Sequence, residues 1–226
     1  MQLLASPERA RFLAGFFKTG PGEYGEGDVF LGISVPAVRA VAKKHTGLPL
    51  AGIRKLLHSR AHEVRLAALL VLVEKYTLAD DAGRKEIFNF YIANAKSVNN
   101  WDLVDLSAAK IAGNYLLDKG NEEKSVLSRL AKSSSLWERR IAIVATYEFI
   151  RSNDFEHTFK ISEMLLGDRH DLIHKAVGWM LREVGKRSQE AEEEFLRKHA
   201  KQLPRTALRY AIERFGEGKR QHYLRR

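Results

Sequence analysis

The sequence predicts an all-α protein, a right-handed α-α superhelix of stacked helix pairs forming a single domain over 1–226. Three observations carry this. Apolar residues recur at helical spacing almost from end to end, no run of alternating β-branched residues argues for a strand, and similar helical segments return every 34 to 38 residues.

The elements follow in order from their start and stop signals. Ser6 is placed to cap a first helix, with Pro7 in its first turn, and Gly20-Pro21-Gly22 stops it. A second helix starts near Ser34, carries Pro36 in its first turn, and ends near His45 before Gly47 and Pro49. Helical periodicity then places helices at 50–58, 62–76, 80–96, 101–118, 122–133, 136–152, 155–166, 171–187, 189–201 and 204–215.

Four of these segments overlay. The stretches starting at His62, Asn99, Trp137 and Leu172 align at Arg65, Asp102, Arg140 and Lys175, separated by 37, 38 and 35 residues, and Arg209 follows 34 residues on. Two helices per unit at this period indicate a HEAT-like solenoid, in which the second helices line a concave surface and form the binding face. In this overlay Asp105 stands where the neighbouring units carry Ala68, Ile143 and Gly178, so an acid occupies a position that is uncharged elsewhere. Trp101 and Asp105 are four residues apart and share one helical face. A carboxylate beside an aromatic at the start of an apolar helix is costly unless it meets a partner, water or a cationic ligand.

Charge narrows the partner. The 226 residues hold 38 Lys and Arg against 28 Asp and Glu, a net charge of +10. The excess is spread, with 21 basic and 16 acidic side chains in residues 1–150 and 17 and 12 in residues 151–226. Such a distribution suits a long basic cleft and a polyanion better than a basic tail would. The absence of cysteine excludes disulfides and thiolate chemistry. No signal peptide and no membrane span is expected, and the protein reads as cytoplasmic.

Other chemistries find little support. His58 with His62 and His170 with His174 have one-turn spacing but no third ligand, so no metal and no cofactor is expected. The glycine-rich stretch 20–28 lacks the Lys-Ser/Thr ending of a phosphate loop, and Ser107 has no base at a predictable distance.

The chain resembles the AlkD-like DNA glycosylases, a bacterial family of HEAT-like-repeat proteins. The resemblance rests on Phe30-Leu31-Gly32-Ile33 leading into Val35-Pro36, on Trp101-Asp102-x-Val104-Asp105, on Leu136-Trp137 followed by Arg140, and on Lys175-Ala176-Val177-Gly178-Trp179. It departs from the family where Asn100 replaces an aromatic. It implies excision of cationic N3- or N7-alkylated purines from double-stranded DNA; with no heptad seam and a binding face of its own, the chain is expected to be a monomer. Asp105 would then be the catalytic aspartate, Trp101 and Trp179 the cleft tryptophans flanking one nucleotide, and Arg140 the DNA-contacting arginine, with Lys175 a further phosphate contact. Arg140→Ala is expected to weaken binding while leaving the fold intact. Two rivals stay open: a non-catalytic binder of damaged or branched DNA on the same fold, and a helical scaffold for an acidic protein.

Overall fold

The computed structural model describes residues 2–225. Among them the regular structure is helical, and the only β feature is an isolated parallel bridge between Val29 and Ala61. In chain order the α-helices are α1 (Pro7–Phe16), α2 (Val35–Lys43), α3 (Leu50–Leu57), α4 (His62–Leu78), α5 (Asp81–Ala93), α6 (Trp101–Ala108), α7 (Asn114–Leu117), α8 (Asn121–Ala131), α9 (Leu136–Ala145), α10 (Tyr147–Arg151), α11 (Glu156–Met164), α12 (Asp171–Arg187), α13 (Gln189–His199), α14 (Arg205–Ala211) and α15 (Glu217–Leu224). Among the described residues no helix is long and apolar enough to cross a membrane.

Several expected helices are subdivided, and one lies beyond the expected set. The stretch 101–118 is α6 and α7 joined by a π-helical turn, Ala109–Gly113. The stretch 136–152 is α9 and α10 meeting at Thr146, whose hydroxyl donates back to the Ile143 carbonyl at 2.7 Å. Such back-bonding competes with the helical ladder. Helix α15 escapes a periodicity reading because Glu217–Leu224 has only Tyr223 as a buried anchor and little apolar periodicity.

The chain forms two compact units, one up to Ser107 and the other from Ala108 onward. In the first, α4 is the central helix. It is apolar nearly all round, and Leu66, Leu69, Leu70 and Leu72 are at most 2% exposed. Burial of this order stabilises by roughly 1.5–3 kcal/mol per leucine. Helices α2 and α3 pack against it, contributing Val38, Ala42, Ile53 and Leu57.

The Gly-rich stretch is an ordered loop closed on itself. Gly20 N–H donates to Glu23 Oε2 and Gly22 N–H to Glu26 Oε2, each at 2.9 Å. It leads Asp28 to the start of α4, where the Val29 N–H donates to the Arg60 carbonyl and His62 N–H to the Val29 carbonyl. The next turn wraps around Glu63. This carboxylate, 2% exposed, accepts the N–H groups of Leu31 at 2.9 Å, Gly32 at 2.7 Å and Ile33 at 3.2 Å. Gly32 has φ +76°, and a Cβ there would lie 2.1 Å from the Ser6 carbonyl oxygen, so only glycine fits.

In the second unit α12 packs against α9, α13 and α14. Gly178 lets α12 and α14 meet closely, since a Cβ would stand 2.3 Å from the Ala207 carbonyl oxygen and 2.5 Å from Tyr210 Cβ. Gly113 does the same against α9, where the Ala145 carbonyl oxygen would be 2.2 Å away.

Because Glu63 is the acceptor for three successive amides, two of them buried, Glu63→Ala is expected to destabilise the protein by about 3 kcal/mol. Urea unfolding of both proteins measures it. A loss under about 1 kcal/mol would mean that the turn finds other acceptors.

Candidate nucleic-acid interface

The candidate residues of the N-terminal unit, Trp101 and Asp105, are set by Asn100, which is fully buried at the start of α6. Its carbonyl accepts the Val104 N–H at 3.1 Å, its side-chain oxygen accepts the Trp101 N–H at 2.8 Å, and its amide donates to Asp28 Oδ2 at 3.2 Å. This fixes Trp101 as the first helical residue and sets Asp105 one turn on. The departure at Asn100 thus has a structural reason, since an aromatic side chain could make neither of the two side-chain bonds.

Trp101 is half-buried, and its inner face lies on Phe17 with the rings 5.2 Å apart and 13° from parallel. Phe17 in turn packs on Phe30 at 4.9 Å and on His62 at 5.0 Å, while Phe30 and His62 stack at 4.6 Å. Phe16 meets the indole edge-on at 6.1 Å. The tryptophan is therefore the outer layer of an aromatic stack whose inner layer is an imidazole.

That imidazole, on a residue 2% exposed, sits between two acids. His62 Nε2 is 2.8 Å from Asp102 Oδ2, and Nδ1 is 3.4 Å from Asp28 Oδ2. Arg65, 3% exposed, donates to both oxygens of Asp28 at 2.7 Å. Burial by itself lowers the imidazole pKa, but hydrogen bonds to Asp102 and Asp28 outweigh it, and His62 titrates above its ordinary 6.5. For Asp28, burial pushes upward, and the bonds from His62 and Asn100 with the charge of Arg65 bring the carboxyl below its ordinary 3.8. The four side chains form one charged, interlocked group.

Asp105 is half-buried. Its charge reaches the fully buried Tyr91, whose phenol is pushed far upward first by burial and further by this carboxylate, against the opposing hydrogen bond to Ser107. Tyr91 Oη and Ser107 Oγ are 2.9 Å apart, and Ser107 donates to the Leu103 carbonyl at 2.6 Å, so Ser107 is engaged structurally.

The helix caps correct the sequence overlay. Asp105, Arg140, Lys175 and Arg209 each lie five residues after their caps at Asn100, Ser135, His170 and Pro204. The overlay places Asp102 against these cations and Asp105 against Ile143 and Gly178. On the structural register Asp105 is an acid where three later helices carry a base. The slip arises because 39 residues separate the caps at Ala61 and Asn100 whereas 35 separate the next two pairs.

In the C-terminal unit Arg140 is 4% exposed, and its guanidinium donates to the Leu172 carbonyl at the start of α12. Removing it would take away this contact, so Arg140→Ala is expected to cost stability as well as any binding. Lys175 is 40% exposed and pairs with Asp171 at 2.7 Å, which lowers the Asp171 pKa. Trp179 is half-buried; its indole N–H donates to Glu183 at 3.1 Å, and its ring lies 6.2 Å from Tyr147. The neighbouring cleft of 300 Å³ is lined by Tyr147, Arg151, Glu183, Lys186 and Arg187 among others. Each unit thus presents a partly exposed tryptophan with a carboxylate one turn on.

The two histidines of each pair take different partners. His58 lies over the Arg54 carbonyl at the end of α3 while His62 joins the buried acids; His170 caps α12 through Nδ1, and His174 Nε2 is 2.6 Å from the Asp168 carbonyl oxygen. Sequence reasoning missed the roles of Asp28, His62 and Asp102. The available signal was His62-Glu63-x-Arg65, charged residues opening a helix that is otherwise largely apolar.

Capped helices recurring at 34 to 39 residues define a helical-repeat protein. Its family is specific: the family model described as DNA alkylation repair enzyme matches residues 1–215, and the chain belongs to this family. A solved structure described as a predicted DNA alkylation repair enzyme from Enterococcus faecalis is similar, with a TM-score of 0.72 at 18% identity over 94% of this chain and 97% of that one. At that identity the likeness is one of fold. No curated protein matches the chain.

The buried charges set a pH dependence. His62 has a raised pKa in the folded state, so its contribution is complete below 6.5 and is lost as pH rises through the raised value. Asp28 has a lowered one, so its contribution is complete above 3.8 and is lost as pH falls through the lowered value. The melting temperature of wild type should therefore exceed that of His62→Gln by most near pH 6, the gap closing toward alkaline pH. A gap independent of pH would refute a charged His62.

Proposed function

We propose that this protein is a monofunctional DNA glycosylase that acts as a monomer in the cytoplasm and removes cationic N3- or N7-alkylated purines from double-stranded DNA. The observation that carries the reading is Asp105, a half-buried acid one helical turn from Trp101 and in the position where α9, α12 and α14 carry Arg140, Lys175 and Arg209. Membership of a DNA alkylation repair family and a net charge of +10 supply the partner class.

The chemistry suits a single carboxylate. An alkylated purine is already cationic, so it leaves as a neutral base without needing an acid. As the bond from C1′ to the purine nitrogen breaks, positive charge develops on the sugar. Asp105 stabilises that charge and orients a water, whose oxygen bonds to C1′ while its proton passes to the carboxylate or to solvent. Partial exposure of Asp105 admits the water. Trp101, one turn from Asp105, offers an aromatic face to the cationic nucleotide or its sugar, and Trp179 offers one to the DNA. Lys175 contributes a phosphate contact, and Arg140, largely enclosed, contributes mainly by holding the start of α12.

Asp105→Asn is expected to keep duplex affinity while slowing single-turnover release of a methylated purine on the order of 10- to 100-fold, a partial loss because the leaving group is already activated. Melting temperature, anisotropy with labelled duplex and base release, taken together, check it. Equal release rates would eliminate the catalytic role. Absence of release by wild type, with binding retained, would favour a non-catalytic DNA binder.

A further inference from the structure

Helix α1 carries a surface that the fold leaves uncovered. Phe12 and Phe16 lie one turn apart, 71% and 55% exposed, with rings 6.3 Å apart and 14° from parallel. Their neighbour Phe17 is 7% exposed, so the same short segment buries one phenylalanine and gives two to solvent. The exposed pair is continuous with Trp101 through the edge contact of Phe16 at 6.1 Å.

Gly15 is a second, independent oddity on this face. It lies inside the helix, is exposed, has nothing within 4 Å of where a Cβ would stand, and shows no backbone angle that demands glycine. A glycine there weakens the helix relative to alanine. Neither packing nor conformation accounts for it. What it does is leave open space where a side chain between Phe12 and Phe16 in the sequence would stand.

Charge selects the occupant. Arg9 and Arg11 are exposed on the helix against one acid, Glu8, and Lys18 is exposed two residues beyond it, beside the loop that carries Glu23 and Glu26. Flat aromatic faces, an open flank and flanking cations are what a nucleobase and its phosphates require. An apolar protein partner would have to desolvate those cations.

We propose that Phe12 and Phe16 form a stacking platform for an unstacked nucleobase of the bound DNA, with Arg9, Arg11 and Lys18 on the adjoining phosphates. The platform rests on the reading that DNA is the partner, and is independent of whether the protein excises a base. It gives the protein a preference for duplexes in which one nucleotide has left the stack.

The test is fluorescence anisotropy with a duplex carrying a single-nucleotide bulge and with its fully paired counterpart. Wild type should bind the bulged duplex more tightly. Phe12→Ala should weaken bulge binding about five- to tenfold with little change on paired DNA, and Phe12→Trp should restore it. Gly15→Leu, which covers the flank without removing a ring, should weaken it as well while the melting temperature holds or rises. Equal affinity for the two duplexes, or equal loss on both with Phe12→Ala, would overturn the platform. So would sedimentation showing that Phe12 holds two copies of the chain together. Asp105→Asn should keep the bulge preference; if wild type shows that preference yet releases no alkylpurine, the platform stands and the glycosylase reading falls.

Discussion

The buried contact of His62 with Asp102 and Asp28 is what the N-terminal unit depends on. The His62 imidazole and the Arg65 guanidinium are held out of water and the two carboxylates are partly so, and each would be costly alone. Together they tie the loop before α2, the start of α4 and the start of α6 to one another. Breaking one partner leaves the others charged and enclosed, so their geometry is strongly specified. The aromatic stack inherits this rigidity, because its innermost ring is the imidazole and its outermost ring is Trp101, the residue just before Asp102.

Much of the fold was legible in the sequence because it is written in local signals. Ser6, Pro7 and Pro36 mark helix starts, and the apolar period marks faces, so most predicted ranges coincide with observed helices. The subdivisions were illegible because they depend on hydrogen bonding rather than periodicity: Thr146 turning its hydroxyl onto Ile143, and one wider turn at Ala109–Gly113. The apolar pattern runs through both without interruption.

The site was legible in a different way. The pairing of Trp101 and Asp105 follows from helical spacing alone. The partners of Asp28 do not, because they lie 34, 37 and 72 residues away and no short motif encodes such separations. The overlay mispaired Asp105 because a loop length, 39 residues between caps rather than 35, shifts the comparison of one helix with the next. Caps are a surer origin than apolar residues for comparing repeats, since a cap is fixed by one set of hydrogen bonds whereas an apolar stripe matches itself at several offsets.

The sequence separations in the charged cluster also bear on how the unit acquires its shape. Helices such as α4 and α5 can form and pair through near neighbours, whereas bonds from Asp28 to Asn100 and from His62 to Asp102 close loops of 72 and 40 residues. Closing such loops costs entropy before any contact rewards it. The bonds therefore belong to the late steps of folding, after the helices that carry their ends exist. A partly folded chain would have helical content but no backed tryptophan, and the surface proposed to bind DNA would arise only with the completed N-terminal unit.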